Sequence, residues 1–289
     1  MSTTITTPEP AVDAATAPAG PPPAVQVSPA AVVWSLARRE LVRFFRQRHR
    51  VFGALGQPII FWLLFSEGLK RSDLGYAHFF PGTLVMILLF TAIFATISII
   101  EDRREGFLQS VLVAPVPRWS MVAGKVLGGS LIALLQGAIF LALGWFWPAF
   151  DIAAGPLELA AAIVLMFVIA VALTALGFAL AWRMDSTQGF HAIMSVFLLP
   201  MWLLSGAFFP HGEEGVLGWI VAINPLTYGV AGLRRLLEFS DTAAAETAGA
   251  PVGELPSAVL CWSVSLLFAL VMLGLAWQMA KARTTGDLL

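Results

Sequence analysis

Apolar residues in this 289-residue chain gather into long blocks instead of alternating with polar ones. Six blocks, at about 51–69, 79–100, 120–146, 158–182, 189–209 and 257–280, are long enough to cross a hydrocarbon core of roughly 30 Å at about 1.5 Å per residue. The first has the weakest pattern, because it contains Gln57-Pro58 and stops at Glu67. Ahead of it, residues 31–48 follow a helical period. Val33, Ala37, Phe44, Leu41, Trp34 and Phe45 fall in one arc, and Glu40, Arg43, Arg39 and Arg46 lie opposite. That pattern predicts an interfacial helix with its aromatic residues in the acyl boundary and its arginines near lipid phosphates. A soluble surface helix would use the same spacing.

Residues 1–30 are rich in Thr, Ala and Pro, include Pro21, Pro22 and Pro23, and show no period, which predicts a disordered leader. They lack the basic start and apolar stretch of a secretory signal, so the N-terminus is expected to stay inside. The expected organisation is this leader, an amphipathic segment at 31–50, a membrane domain at 51–282 and a short cytoplasmic tail at 283–289.

Composition agrees with the blocks. The chain is 58% hydrophobic and 12% charged, with a mean hydropathy of +0.82, against about 25% charged residues in a soluble domain. An ordinary soluble enzyme is excluded. A net charge of -1 gives no basic excess for binding nucleic acid. The only cysteine, Cys261, excludes an intrachain disulfide and a Cys-based zinc or iron–sulfur site.

Orientation follows from cation placement. With the N-terminus inside, the inner segments hold Arg38, Arg39, Arg43, Arg46, Arg48, Arg50, Arg103, Arg104, Arg118, Lys125, Arg183, Lys281 and Arg283, thirteen of the seventeen cations. Only Lys70, Arg71, Arg234 and Arg235 fall outside. The fold class expected is therefore an all-α polytopic membrane protein with six spans and both termini inside.

Two connections contain more than a link requires. Residues 101–118, EDRREGFLQSVLVAPVPR, place an apolar stretch between Gly106 and Pro115, with Phe107, Val111 and Ala114 at helical intervals. This predicts a short amphipathic helix that needs a partner to cover it; a solvated loop that only fixes topology is the alternative. Residues 209–256 are too apolar for a solvated outer loop, and Asn224-Pro225 interrupts them. Two short helices dipping into the outer leaflet fit, with Arg234 and Arg235 returning the chain to the surface; a small extracellular subdomain is the alternative.

Within the blocks, Gly129, Ala133 and Gly137 share a face, as do Gly124 and Gly128, which favours close packing inside one chain over a dimer seam. Gln57, Gln136 and His191 are polar groups at membrane depth, with interhelical hydrogen bonding favoured over contact with a transported molecule. Phe61, Trp62, Phe94 and Phe140 could line a pathway, but facing lipid or packing in the core suits them better. No G-x-x-x-x-G-K-[ST] or H-E-x-x-H occurs, so this sequence offers neither a P-loop nor that zinc motif.

Three blocks together resemble the membrane permease subunit of ABC-2 type exporters, particularly the daunorubicin-resistance and nodulation-factor branches. They are EDRREGFLQSVLVAPVPRWSMVAGKVLGG at 101–129, LSGAFFP at 204–210 and NPLTYGVAGLRRLL at 224–237. The position after Gly106, often Thr in that family, is Phe107 here. The resemblance implies that Glu101, Arg104, Glu105, Gly106, Phe107, Leu108, Val111, Leu112 and Pro115 form a helix docking on a separate ATP-hydrolysing subunit. It also implies that Gly206, Pro210, Asn224, Pro225, Tyr228 and Arg234 belong to re-entrant helices closing the outer end. Two copies of each subunit would make the transporter, with ATP and Mg on the partner and no cofactor on this chain. The location implied is the bacterial plasma membrane. The cargo implied is an amphipathic or lipid-like molecule moved outward, with a lipid-linked polysaccharide or glycolipid as the alternative cargo. An ATP-independent secondary transporter or channel is a different class, and it would normally place charges within its spans.

Overall fold

The computed structural model describes residues 28–47, 76–146, 154–207, 215–237 and 255–281, with scattered positions between 52 and 67. Most of the predicted leader and first span, the tail at 283–289, Gln57 and Pro210 lie outside the described residues. Among the described residues every regular element is helical.

Helix α1 (Pro29–Arg46) starts with proline in its first turn and ends with Arg43 and Arg46 in its last, favourable at both ends. Next come α2 (Tyr76–Ala95) and α3 (Ile97–Arg104), which together make one 26-residue candidate span, Phe79–Arg104. The apolar block suggests a stop near residue 100, yet the helix runs through Glu101–Arg104, because these charges meet partners described below. Gly106, at φ 75°, ends it in the left-handed region that suits glycine. Helix α4 (Phe107–Val113) follows at once and stops at extended Ala114, the residue before Pro115.

The remaining spans are α5 (Arg118–Phe146), α6 (Pro156–Ala181), α7 (Thr187–Trp202) and α10 (Ala258–Lys281). All match the sequence blocks to within about two residues when α7 is taken with the turn that continues it to Ala207. Helix α7 runs on into a wide π-type turn, Leu203–Ala207, whose Gly206 has φ 75°. Pro200 has no N–H for the carbonyl four residues back, which loosens the ladder just before this turn. Between α7 and α10 lie α8 (Val216–Ile223) and α9 (Pro225–Leu237), bent by 77° at Asn224. At 8 and 13 residues they reach about 12 Å and 20 Å, short of a bilayer core. Among the described residues five helices are long and apolar enough to cross a membrane, or six if the bent pair is counted as one.

Span Phe79–Arg104 is the centre of the bundle: 83% of its apolar window is buried, against 17% for α10. Helix α2 packs on α5 and α6, α10 covers α6, and α1 lies along α5. The glycines of α5 divide this work. A Cβ at Gly124 would sit 2.8 Å from Leu36 Cβ, and one at Gly128 2.8 Å from Glu40 Cβ, so that face receives α1. On the other face, a Cβ at Gly129 would meet Thr174 and one at Gly137 would meet Met166, so it receives α6. The glycines thus serve packing within the chain. Trp62, Phe80 and Phe140 form one aromatic cluster, with Phe80 and Phe140 stacked at 4.8 Å, so Trp62 and Phe140 are core residues.

Side chains join the helix ends on each side of the bundle. Arg103 and Arg104 bond the backbone after α6, Arg103 to Trp182 O at 2.6 Å and Arg104 to Asp185 O at 2.6 Å. Arg118, opening α5, donates to Ala280 O and Lys281 O at the end of α10, at 3.1 and 3.2 Å. At the other end Trp202 Nε1 donates to Gly82 O at 2.7 Å. The ends of α3, α6 and α10 and the starts of α5 and α7 therefore share one side, as alternating spans require.

Candidate functional site

Two polar assemblies stand at opposite ends of this bundle. The first surrounds Asp102, a carboxylate with no exposed surface. Arg39 grips it in bidentate fashion at 2.9 and 2.8 Å, and Arg43 adds a third bond at 2.9 Å. Lys125 of α5 also donates to Asp102, and it reaches Glu40 Oε1 at 2.5 Å and Ser98 Oγ at 3.3 Å. Arg43 extends the network to Glu101 at 2.6 Å and lies 3.6 Å from Glu105. Burial opposes the charge on Arg39, but the paired Asp102 carboxylate outweighs it and holds the guanidinium above its usual value.

The cluster ties three chain segments together: α1 through Arg39, Glu40 and Arg43, α3 through Glu101 and Asp102, and α5 through Lys125. It also reaches α4, because the Arg39 guanidinium lies 3.7 Å from the centre of the Phe107 ring, a cation–π contact. Leu108 is buried in the core, Val111 and Leu112 pack against it half-buried, and Val113 is 83% exposed at the far end of α4. Pro115 is exposed.

This corrects the expectation for α1. The predicted apolar arc splits: Ala37 and Phe44 are buried with Leu36 and Glu40, while Trp34 and Phe45 stay exposed. Arg39 and Arg43 turn to carboxylates at the span ends instead of to lipid phosphates. A wheel shows which residues share a face but not that Asp102 and Lys125 wait beside it. The sequence did contain a signal, since a lone lysine six residues inside an apolar block and a lone acid on a basic helix both call for partners.

The second assembly forms where α7 ends. Asn224 Nδ2 donates to Met201 O at 2.6 Å and Leu204 O at 3.0 Å, carbonyls that the π-type turn leaves available. Asn224 Oδ1 accepts from Leu226 N at 3.0 Å, capping α9 as it starts at Pro225. Thr227 Oγ1 donates to Val221 O at 2.7 Å and Tyr228 Oη to Ala222 O at 2.9 Å, holding α8 against α9. Side chains following the Asn-Pro break thus take over the hydrogen bonding that the bend removes. Arg234, expected near the surface, is instead 6% exposed and points toward Gly206 O at 3.5 Å. Arg235 bonds Leu255 O and Pro256 O, at 2.8 and 2.9 Å. Helix α9 can bury Arg234 because it packs closely on α6, where Leu165 and Ile169 fill the spaces above Gly232 and Gly229.

The polar residues of the spans behave differently from one another. Gln136 accepts from Thr91 at 2.5 Å across two helices, as expected for interhelical bonding. His191 is exposed and pairs with Thr187 O of its own helix at 2.9 Å, with its ring stacked on Phe94. Its hydrogen bond is therefore intrahelical.

Residues 31–237, which contain both assemblies, match the family model described as the ABC-2 type transporter. The chain belongs to this family. It is an ABC-2 permease, the membrane-spanning component of an ABC transporter and not the ATPase. Relatives agree: "Putative transport permease ycf38" of Cyanophora paradoxa is 24% identical over 218 residues, covering 71% of this chain and 73% of that one. The protein of the same description from Porphyra purpurea is also 24% identical, covering 72% and 74%. "Probable multidrug ABC transporter permease YbhR" of Escherichia coli strain K12 is 29% identical over 153 residues, covering 51% of this chain and 40% of its relative.

Proposed function

We propose that this permease moves an amphipathic or lipid-like molecule outward across a bacterial plasma membrane, using ATP hydrolysed with Mg on a separate ABC ATPase subunit. Two copies of each subunit make the working transporter. The end carrying α1 and α4 faces the cytoplasm, which the cation asymmetry supports. The name of the Escherichia coli relative, a probable multidrug permease, supports a drug-like cargo.

The observation behind this reading is the form of α4. Gly106 and Pro115 set a seven-residue helix apart from the spans, with its root in the core at Leu108 and its tip, Val113, 83% exposed. An apolar tip on a rooted helix suits insertion into a groove on the ATPase. A push there reaches the bundle by two routes, Leu108 into the core and Phe107 through Arg39 to α1. The opposite assembly, centred on Asn224, then acts as the outer gate, since its bent helix pair is held by side-chain bonds that can be exchanged for others.

The test compares Glu105→Arg and deletion of residues 106–113 with the parent in reconstituted vesicles. The reading expects both variants to insert normally and to lose at least tenfold in ATP-driven transport while ATPase activity continues. Unchanged transport by both would overturn the assignment of α4.

A further inference from the structure

The ion cluster accounts for two arginines of α1 but leaves two others. Along the same helix runs an open depression of about 640 Å3 lined by Ser35, Arg38, Arg39, Arg43 and Arg46, with Glu105 from the end of α3. Spacings of three and four residues put the five α1 positions on one face. Arg39 and Arg43 are engaged with Asp102 and Glu101. Arg38 and Arg46 are exposed, and among the described residues neither meets a carboxylate. They stand two turns apart, about 12 Å along the axis, with Val42 of the same lining midway between them. The lining holds four cations and one anion, so it is a positive cleft with two guanidinium forks to spare.

Its border identifies what fits. Trp34, Val42 and Phe45 are 58%, 47% and 53% exposed. At 100° per residue, Trp34 and Phe45 fall on the strip next to Arg38, on the side away from the face buried against α5. An exposed aromatic strip adjoining a row of free arginines is the amphipathic combination that meets an acyl boundary and a phosphate layer at once. A soluble anion would use the arginines and leave the aromatics in water; an acidic protein surface would do the same.

We propose that this cleft is a binding site for the phosphate headgroup of an anionic glycerophospholipid, held by Arg38 and Arg46 and aligned by Trp34 and Phe45. The inference rests on the reading above that the end carrying α1 faces the cytoplasm, and adds that the exposed side of α1 meets the membrane surface there. It adds a lipid requirement beside the cluster that joins α1 to α4. Arginine suits the role because its planar fork can take two phosphate oxygens together.

The test uses the permease alone, so its outcome does not depend on any ATPase or cargo. The chain is reconstituted in nanodiscs of phosphatidylcholine with phosphatidylglycerol, then gently released, and the retained lipids are counted by native mass spectrometry. Parent protein is compared with Arg38→Gln/Arg46→Gln and with Arg183→Gln, a control that removes an exposed cation on the same side of the bundle. Two cations at a charged surface account for about a 30-fold change in affinity. The expected result is selective retention of phosphatidylglycerol, lost about 30-fold in the double variant and unchanged in the control. Equal retention of both lipids, equal loss in the control, or displacement by millimolar inorganic phosphate would each overturn the proposal. A fluorophore at Phe45→Cys in a Cys261→Ser background separates the two readings. Failure of lipid-phase quenchers to reach it would remove α1 from the membrane, whereas quenching without lipid selectivity would overturn the lipid site alone.

Discussion

Replacing Asp102 by asparagine keeps the side-chain shape and removes one charge from the cluster. In the parent, Arg39, Arg43 and Lys125 face Glu40, Glu101 and Asp102, three charges of each sign, while Glu105, 60% exposed and 3.6 Å from Arg43, stands on the solvent side where it is screened. The variant leaves one cation in excess among these six groups, and the amide presents an N–H pair where an oxygen accepted bonds. Breaking a fully buried ion pair by removing one partner costs about 3–5 kcal/mol. Arg39 and Arg43 keep 31% and 20% of their side-chain surface in solvent, which screens part of the excess, while Lys125 keeps only 4%. The lower figure, about 3 kcal/mol, is therefore the expectation. Because the cluster fastens α1 to α5 and α3, the loss should appear as local opening of α1. Hydrogen exchange followed by mass spectrometry reads this directly, and about 3 kcal/mol corresponds to amide exchange in α1 faster by a factor of roughly 100. Adding Lys125→Met removes the surplus cation and should recover a large part of the protection. Exchange in α1 unchanged by Asp102→Asn, or no recovery in the double variant, would refute the view that balanced buried charge holds this helix.

Two further outcomes test the packing and the bend. Gly128→Ala should destabilise by about 1–3 kcal/mol, because the new Cβ would lie 2.8 Å from Glu40 Cβ and 3.2 Å from Ala37 Cα, whereas Gly274→Ala, with nothing within 4 Å, should be neutral or slightly stabilising in the same thermal melt. Asn224→Ala removes two donors to the turn at Met201 and Leu204 and the cap on Leu226, so a loss of about 2–3 kcal/mol is expected. Asn224→Asp should be no better, since a carboxylate would face the same two carbonyls; stability equal to the parent would count against this account of the Asn-Pro break.

The five spans among the described residues were legible because membrane helices announce themselves in one dimension. An apolar run of sufficient length specifies a helix without reference to any neighbour. So were the breaks at Gly106, Pro115 and Asn224-Pro225, where backbone chemistry acts within a residue or two. What the pattern missed depends on residues far apart in sequence. Arg39 and Asp102 are 63 positions apart, and Glu40 and Lys125 are 85 apart, so a helical wheel sends their charges to solvent or lipid. The same blindness affected the stop of α3, which charges end in a pattern but which buried partners allow to continue to Arg104. Arg234 repeats the lesson, reading as a surface cation until α9 is packed against α6.

The central claim is that this permease is driven by an ATPase docked on α4. It is tested most directly by gentle affinity purification of the full chain from native membranes, followed by mass spectrometry, with and without residues 106–113. The account predicts a P-loop ATPase present with the parent and lost with the deletion, while the permease itself remains in the membrane. An intact parent preparation without such an ATPase, or one that keeps it after the deletion, would contradict the account.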